Sequence, residues 1–205
     1  MPSCASRIEP AAERSPLVRA AFEKARAAHA GQVRNGSGGL PYIEHPAAVA
    51  ARLDSHGYGE DVLAAALLHD VVEDSKTSVE ELEAEFGERV AGLVAALSDD
   101  ESIADYRERK DEHRARVRHH DGNAFAIYGA DKLTNSRTLH LALEHEGEAV
   151  REEFNVPLEL KLEVWEEDSR MLRAEAPELP FLDELDEALS LLRADLAAAG
   201  PRRGT

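Results

Sequence analysis

The stretch that most constrains this chain covers residues 62–74 and reads V-L-A-A-A-L-L-H-D-V-V-E-D. Seven apolar residues lead into His69 and Asp70, and Glu73 and Asp74 follow within one helical turn. A segment this apolar belongs inside a fold, where a carboxylate has to be paired, hydrogen-bonded or bound to metal. Glu73 lies four residues after His69, and Asp74 four after Asp70, so each pair shares one side of a helix. Two interpretations fit: a divalent-metal site with acid–base carboxylates beside it, or a solvated helix end.

The composition favours an all-α protein with a single domain. Leu and Ala dominate the apolar residues, and aromatic residues make up only 5% of the chain. A chain of 205 residues is long enough to bury one sizeable core. We expect one domain over residues 15–197 and a C-terminal tail over residues 198–205. Residues 1–14 mix Pro, Ser, Ala and charges without a period, which predicts a disordered N-terminal tail.

The charge balance restricts the partners. A formal net charge of −17 argues against a nucleic-acid surface and against binding to an anionic membrane. It permits a phosphate-bearing substrate if arginines or a metal cation reverse the sign locally. A single cysteine allows no disulfide within the chain, and no stretch approaches the ~18 apolar residues of a membrane span. We therefore expect a cytoplasmic protein, while the sequence leaves its oligomeric state open.

Local signals place the helices and one unusual loop. Ser15-Pro16 and His45-Pro46 each begin a helix, and a further helix is expected over residues 60–72. Residues 31–44 contain four glycines and a proline, which predicts a loop that lets backbone approach a ligand. Within it, Arg34 offers a planar donor for phosphate. The alternative interpretation is that the loop only connects two helices.

Three later segments complete the inventory. Residues 98–101 form an acidic turn that we interpret as a solvated N-cap, and the helices after residue 155 carry no chemical signal and are taken as structural. The basic segment 106–120 is either a solvated helix face or the source of an anion-binding pocket. In the second case the contributing side chains come from the following set: Arg107, Arg109, Lys110, His113 and Arg114.

Residues 124–139 show the same pattern as residues 62–74. An apolar run leads into Asp131, and Asn135 follows one helical turn later. Taken together, His45, His69, Asp70 and Asp131 offer two imidazoles and two carboxylates. This donor set suits a divalent ion such as Mn²⁺, Fe²⁺, Co²⁺ or Zn²⁺ and leaves positions open for water and substrate.

This arrangement resembles the H…HD…D pattern of the HD-domain phosphohydrolases. The segments V-R-N-G-S-G-G-L-P-Y-I-E-H-P, A-A-L-L-H-D-V-V-E-D and A-D-K-L-T-N-S-R-T-L resemble motifs of the RelA/SpoT hydrolase domain. S-D-D-E-S-I followed by R-E-R-K is similar to the stand-alone small alarmone hydrolases, including the metazoan SpoT homologue. The resemblance spans residues 15–195 and implies a compact HD-domain helical bundle.

The resemblance also implies roles for individual residues. The matches to the family's metal ligands, with Mn²⁺ the usual ion, are His45, His69, Asp70 and Asp131. Glu73 and Asp74 match the carboxylate pair that positions and activates the attacking water. The expected substrate contacts are Arg34, Tyr42, Lys132, Asn135 and Arg137. The implied reaction removes the 3′-pyrophosphate from guanosine tetra- or pentaphosphate and gives GDP or GTP and pyrophosphate.

Departures from the family pattern keep other substrates open. A basic residue often follows the loop arginine where this chain has Asn35, and tyrosine or histidine is usual where it has Thr134. One alternative is an HD-domain phosphohydrolase of another nucleotide, such as a nucleoside monophosphate, NADPH or a deoxynucleotide. The other is a nucleotide-binding module without catalysis. The complete ligand set with both Glu73 and Asp74 argues against that module.

Overall fold

The structure is a computed structural model that describes residues 4–199. Within this range it is helical, with an isolated antiparallel bridge between Val33 and Pro41 as its sole β-pairing, so the all-α prediction is confirmed. No helix in this range is long and apolar enough to cross a membrane. The helices are α1 Cys4–Arg14, α2 Pro16–Ala28, α3 Glu44–Ser55, α4 Glu60–Leu68, α5 Val71–Asp74, α6 Val79–Phe86, α7 Glu88–Leu97, α8 Tyr106–Arg118, α9 Gly122–Glu146, the 3₁₀ helix Gly147–Glu153, α10 Leu158–Glu175 and α11 Leu182–Ala199.

The N-terminal segment is a packed helix. The expectation of a disordered tail is wrong for residues 4–14, because α1 buries Ile8, Ala11 and Ala12 on one side and packs against α2 and α3. These positions have helical i, i+3 and i+4 spacing, which Pro10 and the flanking charges obscured in the sequence. At the other end, α11 runs through residue 199, and the rest of the predicted C-terminal tail lies outside the described residues.

Two inner helices carry the side chains of greatest interest. All seven residues of α4 from Val62 to Leu68 are buried, and α9 is buried continuously over residues 124–133. Helices that are apolar on every side belong in the centre of a fold. Accordingly, α4 packs against α2, α3 and α7, while α9 packs against α3 and α11. Polar residues within these buried stretches therefore face protein or an internal cavity.

The opening stretch is two helices with a turn between them. The helix expected over residues 60–72 ends at Leu68, and α5 begins at Val71. His69 and Asp70 form the turn with right-handed helical backbone angles, and the Asp74 N–H donates to the Asp70 carbonyl at 3.0 Å. The helical spacing of the carboxylates is thus retained, although the helix itself is interrupted.

The glycine-rich loop between α2 and α3 is docked onto the body of the protein. Gly36 has a φ of +67°, and a Cβ there would lie 2.8 Å from Cζ of Phe154. Its N–H donates to Glu153 Oε2 at 2.6 Å, and Asn35 Nδ2 donates to the Glu153 carbonyl at 2.7 Å. Glycine is required at position 36 because both the backbone angle and the close approach exclude a side chain.

Candidate active site

Three of the predicted ligands converge on one point. His45 lies at the start of α3, His69 follows the end of α4, and Asp131 lies in the middle of α9. One ligand atom from each lies within 4.8 Å of the others, an arrangement that could hold a metal ion. The Nε2 atoms of His45 and His69 lie 3.0 and 3.7 Å from Oδ1 of Asp131. All three residues are buried.

Asp70 completes the group. Its Oδ1 lies 3.2 Å from Nε2 of His69, and its Oδ2 lies 3.6 Å from Nε2 of His45. Burial opposes ionisation of this carboxyl, but the charges of His69, His45 and Arg34 hold its pKa below the ordinary value. Asp70 is therefore an anion that contacts both imidazoles, as a fourth ligand would.

The buried nitrogen atoms fit a divalent cation. His69 Nδ1 lies 2.8 Å from the Ala66 carbonyl, to which it donates, so Nε2 is the ring atom that would bind a metal. That Nε2 and both ring nitrogens of His45 are buried without a hydrogen-bond partner among the described residues. Burial lowers the pKa of His45 to about 4, so this imidazole is neutral at pH 7. Mixed imidazole and carboxylate donors are the ligands that such cations prefer.

The potential at the cluster also favours a cation. Burial lowers the pKa of His69, but the carboxylates of Asp70 and Asp131 outweigh it and raise that pKa to about 9. An arrangement that attracts a proton to this degree attracts a divalent cation by the same Coulombic interaction.

Neighbouring side chains orient the two carboxylates. Tyr42 donates its hydroxyl to Oδ2 of Asp70 at 2.9 Å. Asn135 Nδ2 donates to Oδ1 of Asp131 at 2.8 Å, and Lys132 Nζ donates to its Oδ2 at 2.9 Å. Lys132 is buried, with Nζ 4.4 Å from the Tyr128 ring centroid, so this lysine holds Asp131 although it also borders the cavity.

Arg34 links the glycine-rich loop to α9. Its guanidinium donates to Oδ1 of Asn135, lies 3.7 Å from Oδ2 of Asp70 and stacks 5.0 Å from the Tyr42 ring centroid. The arginine, the asparagine and the tyrosine all line one cavity of about 600 Å³ together with His69, Asp70 and Asp131.

Arg137 does not reach this cavity. Its guanidinium is half-exposed and pairs with Oε2 of Glu184 on α11 at 2.7 Å, beside Arg52, which contacts the same carboxylate. The prediction that Arg137 contacts substrate is therefore wrong. Asn135 and Arg137 are two residues apart on α9, which turns their side chains about 200° from each other.

Glu73 and Asp74 both line the cavity, in different surroundings. Glu73 Oε1 accepts the backbone N–H of Asp99 at 2.7 Å. Burial, followed by the charges of Asp70 and Asp99, raises the pKa of Glu73 to about 8. Asp74 is exposed, and its backbone carbonyl accepts a hydrogen bond from Nε2 of Gln32 at 3.0 Å.

Sequence reasoning missed Asp99. The expected solvated N-cap is instead a largely buried carboxylate that pairs with Lys110, lies 2.8 Å from Nδ1 of His113 and 3.4 Å from Nε of Arg109. Burial opposes its ionisation, yet these partners hold the pKa of Asp99 well below its usual range. The apolar run of α7 leads directly into this turn, the same signal that identified Asp70 and Asp131.

The basic side chains of helix α8 face two different parts of the protein, the cavity and helix α10. Arg109, Lys110 and His113 line the cavity, as the pocket interpretation predicted for part of the set. Arg107 and Arg114 instead pair with acidic residues of α10, namely Glu163, Glu167 and Asp168. The late segments taken as structural also contribute to the cavity, through Phe154, Lys161 and Trp165. Nothing in their own sequence distinguishes these residues from core or surface positions.

The comparison with known proteins agrees with this geometry. A family model described as HD domain matches residues 21–160. The chain belongs to the HD-domain family. The HD-domain match includes all four clustered ligands and lies within the predicted domain of residues 15–197, whose exact limits stay a prediction.

Relatives and solved structures point to one branch of the HD-domain proteins. The chain is 33% identical over 153 residues to a guanosine-3′,5′-bis(diphosphate) 3′-pyrophosphohydrolase of Aquifex aeolicus, covering 72% of this chain and 22% of that protein. It is 41% identical over 116 residues to the pyrophosphohydrolase MESH1 of Danio rerio, covering 55% and 63%. The chain thus spans only part of either relative.

The fold is similar to that of a metazoan orthologue of SpoT that hydrolyses ppGpp. The TM-score is 0.70 at 30% identity, with 86% of this chain and 95% of that chain covered. A solved protein of Listeria monocytogenes EGD-e gives a TM-score of 0.64 at 31% identity, covering 71% and 96%. The expected HD-domain helical bundle is confirmed.

Proposed function

We propose that this chain is a metal-dependent phosphohydrolase that removes the 3′-pyrophosphate from guanosine tetra- or pentaphosphate. The observation that carries the proposal is the cluster of His45, His69 and Asp131, with Asp70 beside it. In this cluster both ring nitrogens of His45 and Nε2 of His69 are buried without a hydrogen-bond partner among the described residues. The cluster borders a cavity that is also lined by arginines and lysines. Relatives and a structural neighbour named for this reaction support the choice of substrate.

The same four residues would hold the cation, for which we propose Mn²⁺. The chemistry that such a cation supplies when bound is Lewis-acid activation of water and stabilisation of charge on phosphoryl oxygens. Tyr42, Lys132 and Asn135 keep the two carboxylates oriented toward the imidazoles. Orienting partners of this kind fix the ligands before the cation arrives.

Glu73 is the proposed general base. Hydrolysis adds water to the phosphorus attached to the ribose 3′-oxygen, breaks that P–O bond and returns a proton to the 3′-oxygen. Glu73 accepts the proton from the attacking water and passes it on to the leaving oxygen. The raised pKa, about 8 in the metal-free protein, makes this carboxylate a stronger base than an ordinary glutamate, and the Asp99 N–H fixes its direction. We assign Asp74 to orienting the water from the open side of the cavity.

The cationic side chains balance the substrate's phosphate charge. Arg34 and Asn135 lie beside the cluster, where the 3′-pyrophosphate has to be placed for attack. Arg109 and Lys110 line the same cavity from α8. Arg34, Arg109 and Lys110 make the potential in the cavity locally positive in a protein that carries −17 overall, so that an anionic nucleotide can enter.

A substrate panel tests the proposal. Purified chain loaded with Mn²⁺ is offered guanosine tetraphosphate, NADPH, nucleoside monophosphates and deoxynucleoside triphosphates, with pyrophosphate and orthophosphate measured separately. We expect pyrophosphate to be released from the guanosine tetraphosphate alone. Turnover of a different nucleotide would replace this substrate with that one, and tight binding without any turnover would leave a binding module.

The side chain of Asn35 is the reason for including several nucleotides in the substrate panel. Asn35, where the family pattern often has a basic residue, uses its amide to bond the Glu153 carbonyl. It therefore adds no charge to the cavity. A substrate with fewer phosphates than guanosine tetraphosphate is the alternative that this position favours.

A further inference from the structure

Lys161 on α10 is an unusual member of the cavity wall. Its Nζ lies 5.1 Å from the ring centroid of Phe154, 5.4 Å from that of Tyr106 and 5.6 Å from that of Trp165. Aromatic faces attract an ammonium group, but they leave its three N–H donors without acceptors. Nζ forms no ion pair or hydrogen bond with any residue in the described range 4–199.

The other cations of the cavity are already paired. Arg34 lies 3.7 Å from Oδ2 of Asp70, and Arg109 and Lys110 both contact Asp99. Lys132 donates to Asp131 at 2.9 Å. Uncompensated positive charge is therefore concentrated at Lys161. Burial, with repulsion from Lys110, Lys132 and Arg34, lowers the pKa of this lysine to about 8, so that a nearby anion would stabilise its charged form.

The ring of Tyr106 lies beside Lys161, with its centroid 5.4 Å from Nζ. Arg109 Cζ and Lys110 Nζ each lie 5.8 Å from the same centroid, on the side of the cavity formed by α8. We call Tyr106, Arg109, Lys110 and Lys161 the Tyr106 corner. Three cations therefore surround one ring, and an oxyanion in the cavity would accept from the Lys161 ammonium, whose donors lack acceptors.

We propose that the Tyr106 corner binds the 5′-diphosphate of the nucleotide and that Lys161 determines preference for substrates that carry it. The inference rests on the proposed function, which places the 3′-pyrophosphate beside His45, His69 and Asp131. The substrate carries a second phosphate arm on the 5′-oxygen. The corner is built by α8 and α10, which supply none of the clustered ligands, and it offers the charge and the donors that this arm requires.

Matched substrates test the role of Lys161. K161M and the control K24M, which removes a lysine that pairs with Glu85 outside the cavity, are assayed with Mn²⁺. One substrate is guanosine tetraphosphate, and the other is guanosine 3′-diphosphate with a free 5′-hydroxyl. We expect K161M to raise KM for the first by about 10- to 100-fold, the effect of losing one charged hydrogen bond, with kcat unchanged. KM for the 5′-hydroxyl compound should stay at the wild-type value, and K24M should change neither.

A conservative variant separates the role of the charge from folding. K161R, which keeps the charge, should retain most of the discrimination between the two substrates. Equal changes in KM for both compounds in K161M, or no change, would overturn the assignment of this corner to the 5′-diphosphate.

A binding measurement keeps this inference separable from the proposed function. GDP carries the 5′-diphosphate and lacks the 3′-arm, so calorimetric titration with GDP reports on the corner without turnover. Weaker GDP binding by K161M than by wild type, with K24M unaffected, supports the inference even if no substrate is hydrolysed. Equal GDP binding by K161M and wild type would refute it even if guanosine tetraphosphate is hydrolysed.

Discussion

At the scale of single residues, the site depends on buried polar atoms that the protein itself leaves unsatisfied. Isolated buried imidazole and carboxylate groups are destabilising, so a cluster of them persists where a ligand compensates the cost. His45 and His69 meet this description in the candidate metal site, and the ammonium of Lys161, which contacts aromatic rings, is a further group without an acceptor in the same cavity. Each set can be tested by removing one group.

Replacement of Asp70 by alanine should remove the metal. Asp70 contacts both imidazoles, so its loss eliminates a ligand and the charge that holds the cation. Loss of a residue that only orients a metal ligand costs about 10- to 100-fold in metal affinity. We expect the loss of affinity in D70A to be larger than this. Metal content after gel filtration measures this, with D61A in the first turn of α4 as the control. Wild-type metal content in D70A would refute the ligand assignment.

Replacement of Glu73 by glutamine should separate metal binding from chemistry. The amide keeps the size of the side chain but cannot accept a proton, so we expect metal content to stay unchanged and kcat to fall by about 10²- to 10⁴-fold. Both are measured on the same preparation. Full activity in E73Q would remove Glu73 from the mechanism.

The pKa of Glu73 also predicts how stability depends on pH in metal-free protein. The native pKa of about 8 exceeds the ordinary value of 4.5, so the native state binds this proton more tightly than the unfolded state. The contribution is complete below about pH 4.5 and is lost as pH rises through about 8. Urea unfolding between these limits should show a steeper loss of stability in wild type than in E73Q. Parallel pH profiles would contradict the raised pKa.

At the scale of elements, the site is assembled at helix ends and in one docked loop. His45 begins α3, and His69 and Asp70 form the turn between α4 and α5, which frees their side chains to converge on the middle of α9. The glycine-rich loop adds Arg34, and its position depends on the contact between Gly36 and Phe154.

Substitution of Gly36 should displace this loop without disturbing the metal. G36A combines a left-handed backbone, which costs about 1–2 kcal/mol for a residue with Cβ, with a contact of 2.8 Å to Phe154. The matched control G39A has a φ of +84° and open space around its Cβ position, so it carries the backbone cost alone. We expect KM to rise in G36A more than in G39A at equal metal content. Equal KM values in the two variants would exclude a role for the docking contact.

At the scale of the whole molecule, α1 belongs to the body that supports the site. It packs against α3, which carries His45 in its first turn, and Arg14 pairs with Asp54 of α3 at 2.7 Å. The family match begins at residue 21, so this helix lies outside the segment that the HD-domain model matches.

Truncation of Ile8 tests this contribution. Ile8 is fully buried, and I8A should reduce the free energy of unfolding by about 2–4 kcal/mol, the usual cost of removing a buried aliphatic side chain. The control L191A removes a side chain that is 45% exposed and should change stability by less than about 0.5 kcal/mol. Urea unfolding measures both. An unchanged stability in I8A would restore the disordered-tail interpretation.

The helical class and the residues of the candidate metal site could be predicted from the sequence. Apolar runs that end in His69-Asp70 and in Asp131 identify buried polar residues because burial and helical spacing are local properties. The clustering of these residues with His45 followed from their shared chemistry. Their catalytic roles stay predictions.

Only the tertiary structure decided which other side chains face the cavity. Asp99 and Lys161 look like surface residues in the sequence and border the site, whereas Arg137 looks like a substrate contact and pairs with Glu184. The physical reason is that the direction a polar side chain takes depends on which distant helix packs beside it. Lys161 borders the cavity because α10 packs against α8 and α9, a contact between segments that no local pattern encodes.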